Sequence, residues 1–180
     1  MKLNVLGLDP SMSNLGIAAG VFDTATGKLE IRQVLTCSPD IKSNKQTRQN
    51  SIDLEKARVL YRALMEALTG AHLVCVEVPH GSQSARAMAS YGICIGLLAT
   101  VTKPLLQVTA QEVKRVVGLP KPSKADMIAW AMRTHPEAPL ATYNGKINAA
   151  KAEHQADAIA AIHAAMRLDE FKLFTTKALL

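Results

Sequence analysis

Short apolar runs dominate the opening of the chain. Lys2 to Leu8 is one such run and ends at Asp9-Pro10, the pattern of a buried strand that delivers its last residue to a sheet edge. Leu15 to Phe22 is a second. Lys28 to Thr36 sets Leu29, Ile31 and Gln33 against Glu30, Arg32 and Val34, and Ala25-Thr26-Gly27 between them reads as a turn. Three successive strands on short connections predict an antiparallel opening. The stretch Ser38 to Asn50 is polar and basic, with Lys42, Lys45 and Arg48, and leads into Leu54, Ala57, Leu60, Leu64 and Leu68 at helical spacing.

His72 to Val78 is short and β-branched, with Gly70 before it and Pro79 after it, which predicts a buried strand. Glu77 near its end is costly on an apolar strand unless it is paired, metal-bound or exposed at a cleft. Ser82 to Val101 is a helix rich in small residues, suited to close packing on the sheet or on another subunit. Pro104 to Val108 is a last strand. Thr109 with Glu112 and Ser123 with Asp126 are capping-box patterns for two further helices, separated by Gly118-Leu119-Pro120-Lys121-Pro122. A Pro-containing loop then runs to roughly Lys146, and Ala149 to Leu168 is an Ala-rich helix. With no internal repeat and no low-complexity linker, these elements predict one α/β domain over residues 1–170, with residues 171–180 as a C-terminal tail.

At 180 residues the chain is long enough to bury a core without disulfides. Cys37, Cys75 and Cys94 are widely spaced and form no CxxC pair, which argues against a zinc knuckle and for a reducing cytoplasm. No apolar run reaches 18 residues and no signal-peptide core opens the chain, so the expectation is a cytoplasmic protein with no membrane partner. Lys plus Arg exceed Asp plus Glu by 21 to 15, a net charge of +6 that favours polyanionic partners.

Three acids fall at telling places: Asp9 at the end of the first strand, Glu77 near the end of a central strand and Asp157 in the last helix. Each has an ordinary alternative. Asp9 suits a turn before Pro10, Glu77 suits a solvated or paired strand end, and Asp157 suits a solvated helix face. His154 and Glu153 lie three and four residues before Asp157 and reach the same patch of helix. A carboxylate beside an imidazole can bind a metal or position a water, although His154 also suits a partly buried surface histidine.

Gly-Leu-Asp-Pro-Ser at 7–11, followed by Asn14-Leu15-Gly16-Ile17-Ala18, resembles the opening strand of the RuvC-type Holliday-junction resolvases, of the RNase H-like (retroviral integrase) superfamily. Val74-Cys75-Val76-Glu77 resembles their central acidic strand, and Ser82-Gln83-Ser84-Ala85 the start of the following helix. His154-Gln155-Ala156-Asp157-Ala158-Ile159-Ala160 resembles their terminal motif in its His version. The blocks keep the family order from about residue 3 to 168. The first alone also resembles actin-like ATPases, for whose paired domains 180 residues are too few.

The resemblance implies an RNase H-like fold, a mixed five-stranded sheet with three antiparallel strands first, flanked by helices. It implies a homodimer acting on branched DNA, the four-way junction, with Mg²⁺ (two ions per active site, Mn²⁺ substituting) and no small-molecule cofactor. Asp9, Glu77, His154 and Asp157 are then the catalytic and metal-binding set, His154 alternatively orienting water, with Glu153 in reserve. Lys114 and Lys124 best match functional lysines of the family; Lys121, Arg115, Arg86 and Lys151 are further candidate phosphate contacts. The chain departs from bacterial members after Glu77, where Val78-Pro79-His80-Gly81 offers no aromatic wedge, a departure that fits a phage-encoded member. Competing readings are a nuclease of other branched DNA or RNA–DNA hybrids, and a junction-binding protein that does not cut.

Overall fold

The structure, a computed structural model, describes residues 1–177. Strands β1 (Lys2–Pro10), β2 (Leu15–Asp23) and β3 (Lys28–Cys37) come first, followed by α1 (Gln49–Ala67), β4 (Leu73–Glu77), α2 (Ala85–Leu98), β5 (Leu105–Val108), α3 (Ala110–Arg115) and α4 (Lys124–Thr134). A hairpin of β6 (Thr142–Tyr143) and β7 (Lys146–Ile147) precedes α5 (Ala149–Ala165) and α6 (Asp169–Lys177). The main sheet has five strands in the order β3-β2-β1-β4-β5. β1 to β3 pair antiparallel, and β4 and β5 join parallel to β1. Both predicted capping boxes form, at Thr109/Glu112 and Ser123/Asp126.

The period of two along each strand sorts side chains between two layers. Leu6, Leu8, Ile17, Val74 and Val76 pack with Leu60, Leu64, Cys94 and Leu98 under α1 and α2. Leu3, Val5, Ala18, Leu73 and Cys75 pack on the opposite face with Ala156, Ile159 and Ile162 of α5. Asp9 and Glu77 have the parity of Val5 and Cys75, so the pleat that builds the core also aims both acids at α5.

α5 is buried nearly all round, from Ala152 to Ala165, as a helix without a polar stripe must be. Its alanines lie so close to the sheet that only glycine fits beneath. A Cβ on Gly7 would sit 2.0 Å from the Ala158 carbonyl oxygen, and one on Gly16 would sit 2.1 Å from that of His154. Both obstructing atoms are backbone and cannot swing away.

β3 departs from strict alternation. Ala19 pairs with Gln33 but Gly20 pairs with Ile31, leaving Arg32 as an extra bulged residue. Beyond the bulge the faces exchange, as one inserted residue requires. Val34 packs against the α5-side core, whereas Gln33 and Leu35 are exposed, the reverse of the simple alternation. Thr36 consequently turns inward, and its Oγ1 donates to the Lys151 carbonyl at 2.8 Å, fixing the first turn of α5.

Two expectations are corrected. The loop expected to reach Lys146 contains the β6–β7 hairpin, whose Asn144-Gly145 turn has both residues at positive φ. The expected tail is helical from Asp169 to Lys177, and Phe171 is 2% exposed, edge-on to Phe22 at 5.1 Å; residues 178–180 lie outside the described residues. A buried polar relay also ties this side together. His135 Nδ1 donates to Glu137 Oε1 at 2.9 Å, and the same oxygen accepts the Ile31 N–H at 3.2 Å. His135 Nε2 meets His163 Nε2 at 2.7 Å. Burial and the neighbouring His135 push the His163 imidazole down to about 4, so the His163 ring is neutral at pH 7.

The glycine contacts yield a direct test. Gly16→Ala is expected to destabilise the protein by about 1–3 kcal/mol in urea unfolding, the usual cost of overpacking, because the clash at 2.1 Å is with backbone. Gly81→Ala, where a Cβ would meet nothing within 4 Å, is expected to be close to neutral. Equal effects of the two substitutions would contradict the close packing of α5.

Candidate active site

Leu8 pairs with Val76 across the parallel β1–β4 ladder, and the next residue on each strand is an acid, Asp9 and Glu77. α5 crosses this strand end. His154 and Asp157, three residues apart, project from one side of it toward the two strand acids. His154 Nδ1 donates to Asp9 Oδ2 at 2.7 Å, with the side chains 19% and 17% exposed. The four residues singled out in sequence therefore meet, although 145 positions separate Asp9 from His154.

Like charges confined in a partly buried cleft leave a clear electrostatic mark. Burial, then the charge of Asp9, pushes Glu77 up to about 7, while Lys114 acts in the opposite direction. Burial, then Asp9, Glu77 and Glu153, pushes Asp157 up to about 8, opposed by His154. The hydrogen bond that Asp9 accepts raises the His154 imidazole above its ordinary value. These shifts belong to the set as a whole. The site holds more negative charge than its own cations neutralise.

Beside the acids lies an open cleft of about 340 Å³, lined by Glu77, Lys114, Lys124, Glu153 and Asp157 among others. Lys124 Nζ pairs with Glu153 Oε1 at 2.7 Å across its mouth. Lys114 and Lys124 thus flank the acids. Lys121, Arg115 and Lys151 are exposed but line no part of the cleft. Arg86 differs from expectation: its guanidinium binds both carboxylate oxygens of Asp53 on α1, at 2.6 Å for Nη2 to Oδ1. Asp53 is 5% exposed, and a buried acid needs its cation, so Arg86 braces α1 to α2 and is not a free phosphate contact.

Sequence reasoning did not assign Lys42, Lys45 and Arg48 to the site. They are exposed on an irregular segment immediately after Cys37 of β3, and Thr36 of that strand holds the first turn of α5. The signal was the absence of any acid from Ile41 to Arg48.

Among the described residues no group of three or more Asp, Glu, His or Cys side chains is placed so that it could hold a metal ion. The chemistry of the donors, rather than their placement, suits a hard divalent cation. Asp9, Glu77 and Asp157 present carboxylate oxygens, the ligands such ions select, and their mutual repulsion is what a divalent charge would relieve. His154 already uses Nδ1 on Asp9.

No family model matches the chain, and no curated protein matches it. Solved structures do. RuvC of T. thermophilus in complex with Holliday junction substrate is similar over 96% of this chain and 97% of its own, with a TM-score of 0.65 and 16% identity. A second structure of Thermus thermophilus RuvC covers 99% of this chain and 96% of its own, with a TM-score of 0.59 and 17% identity. The resolvase of Fowlpox virus, in complex with substrate Holliday junction DNA, covers 91% of this chain and 97% of its own, with a TM-score of 0.55 and 14% identity. The chain has the RNase H-like fold of these proteins, with its mixed five-stranded sheet flanked by helices.

The raised carboxyls fix the sign of a pH effect. An acid whose folded value lies above its unfolded one binds its proton more tightly when folded, so stability falls as pH rises from about 4 to about 8, by at most about 1.4 kcal/mol per unit per proton. In metal-free protein, Glu77→Gln and Asp157→Asn are expected to flatten that fall and raise the melting temperature at pH 8 relative to wild type. Millimolar Mg²⁺ should raise the wild-type melting temperature more than that of either variant. Parallel pH curves for wild type and variants would show that the acids do not repel one another.

Proposed function

We propose that the protein is a Holliday-junction resolvase, a metal-dependent endonuclease that makes paired nicks in four-way DNA junctions by hydrolysing phosphodiester bonds. The observation that carries this reading is that the His154–Asp9 bond lies within electrostatic reach of Glu77 and Asp157, which line a cleft with Lys114 and Lys124. The likeness of fold to junction-resolving proteins across more than nine-tenths of the chain supports it.

Asp9, Glu77 and Asp157 would hold two Mg²⁺ ions, or Mn²⁺ in their place. Such ions would supply activation of a water and stabilisation of charge on the attacking and leaving oxygens. The chain's own groups do the rest. His154, fixed by its Nδ1 bond to Asp9, keeps Nε2 to orient a water or carry a proton, a role that suits imidazole better than Mg²⁺ ligation. Lys114 and Lys124 neutralise the phosphodiester as it enters the cleft. The exposed Lys42, Lys45 and Arg48 after β3, Lys151 on α5, and Arg115 and Lys121 around the end of α3 are further candidate phosphate contacts. Arg86 is left out because Asp53 occupies it.

Paired nicking of a two-fold substrate calls for a two-fold enzyme. α2 suits that contact. Met88 and Ile95 are 46% and 48% exposed, and Gly92 and Gly96 have open space above them, an apolar, small-residue face that a second copy could approach closely.

Two experiments test this reading. Asp9→Asn, Glu77→Gln and Asp157→Asn are each expected to slow Mg²⁺-dependent cleavage of a labelled four-way junction by at least about 10²-fold. Junction binding should remain, falling steeply with added salt; uncut binding by the wild type would favour the non-cleaving alternative, and faster cutting of an RNA–DNA hybrid the other nuclease. Ile95→Asp is expected to shift a sedimenting dimer to monomer and convert paired nicks to single ones. A wild type that sediments as a monomer on DNA would end the dimer proposal.

A further inference from the structure

The β6–β7 hairpin is small and leads directly into α5, the helix that carries His154 and Asp157. Asn144 and Gly145 have φ of 50° and 72°, the type I′ turn that matches the twist of a two-residue hairpin. Tyr143 and Lys146 pair directly across the turn, so their side chains leave the same face of the ribbon. Tyr143 is 71% exposed, more than any other large apolar or aromatic side chain among the described residues. Lys146 is exposed beside it. No neighbouring element shelters the ring.

The base of the hairpin is braced. The Asn148 N–H donates to the Ala141 carbonyl at 2.8 Å, and the Ala141 N–H donates to Gln155 Oε1 at 2.7 Å. Gln155 is 3% exposed and follows His154 directly. A buried amide on the catalytic helix thus holds the hairpin to that helix. Five extended steps and six helical ones separate Tyr143 from His154, a span of at most roughly 26 Å. One turn of B-DNA is longer, at about 34 Å, so DNA whose phosphate occupies the cleft is long enough to reach the hairpin. The exposed Lys151 one turn before His154 adds a cation on the way.

We infer that Tyr143, carried on the β6–β7 hairpin, stacks on a base at the branch point of the bound DNA while Lys146 contacts the adjoining phosphate. A branch point is where a base face is open to a ring, whereas within a continuous duplex every face is covered by its neighbour. Stacking is tolerant of sequence because every base has such a face. The pairing of a ring with a cation on one face matches the alternation of base and phosphate along a strand. The inference rests on the proposed action on branched DNA.

The test is a thermodynamic cycle between the ring and the base. Junctions carrying a single abasic position at each branch-point site in turn are titrated with Asp9→Asn protein, which leaves the DNA uncut, with and without Tyr143→Ala or Tyr143→Phe. At one site, loss of the base should weaken the Tyr143 protein about tenfold, within the range of one base–aromatic stack. Tyr143→Ala should weaken binding to the intact junction equally and lose nothing more at the abasic site; Tyr143→Phe should behave as the parent. Affinity for unbranched duplex should be the same for all. Full junction affinity in folded Tyr143→Ala, or additive losses, would overturn the role of the hairpin while leaving the resolvase reading intact. A parent that prefers no junction over duplex would sink both.

Discussion

The arrangement depends on how closely α5 can approach the sheet. Gly7 and Gly16 lie under the carbonyls of Ala158 and His154, where a Cβ would come within about 2 Å of backbone oxygen. The alanines of α5 supply the matching flatness. At an ordinary helix–sheet separation of about 10 Å, His154 and Asp157 would stand back from the strand ends and the 2.7 Å bond to Asp9 would be lost. The packing of small residues, which contributes little burial per side chain, is therefore what brings helix chemistry and strand chemistry into one site. The bulge at Arg32 serves the same end from another strand, since without it Thr36 would face away from the Lys151 carbonyl it now holds.

Close approach also sets the electrostatics. Acids drawn together at a partly buried edge cannot all ionise freely, and Glu77 and Asp157 are raised to about 7 and 8. Structure stability alone would select against such a cluster, because each acid costs desolvation and gains repulsion. Its cations are at the margin: Lys114 acts on Glu77 through space, and Lys124 is bound to Glu153 rather than to Asp157. A set of carboxylates crowded in this way would be relieved by an external positive charge, which is what the proposed metal-assisted reaction would bring.

Much of this was legible in the sequence where a local rule and a long-range one agreed. Asp9 and Glu77 ended apolar runs, and the period of two already put each on a definite face. His154 and Asp157 had helical spacing. Three close strands predicted the antiparallel opening, and the mixed five-stranded sheet was what the family resemblance implied. Legibility failed where a single residue changed the count or where the partner lay elsewhere in the chain. One bulged residue reversed the faces of Gln33 and Val34. Arg86 looked like a free cation because its acid, Asp53, is 33 positions away on another helix. Phe171 looked like part of a tail because its partner is Phe22, at the far end of the chain. The hairpin was marked by Asn144-Gly145, a strong turn signal, but strands of two residues leave no periodicity to read.

The sheet finally separates two tasks that the proposed reaction needs kept apart. β4 makes this concrete, since Val74 and Val76 face α1 and α2 while Cys75 and Glu77 face the layer of α5. The Arg86–Asp53 bridge stiffens the first layer by joining α1 to α2 behind the apolar surface of α2. On the second layer, the His135–His163 contact and the Glu137 bond to Ile31 tie α4, α5 and β3 together. Each layer is thus braced by its own polar link, and the sheet is the element they share. In the proposed dimer a subunit contact through α2 would reach the site by way of β4, whose last residue is the acid at the cleft, and by way of Cys94, which packs with Leu8 and Val76 beneath the strand ends.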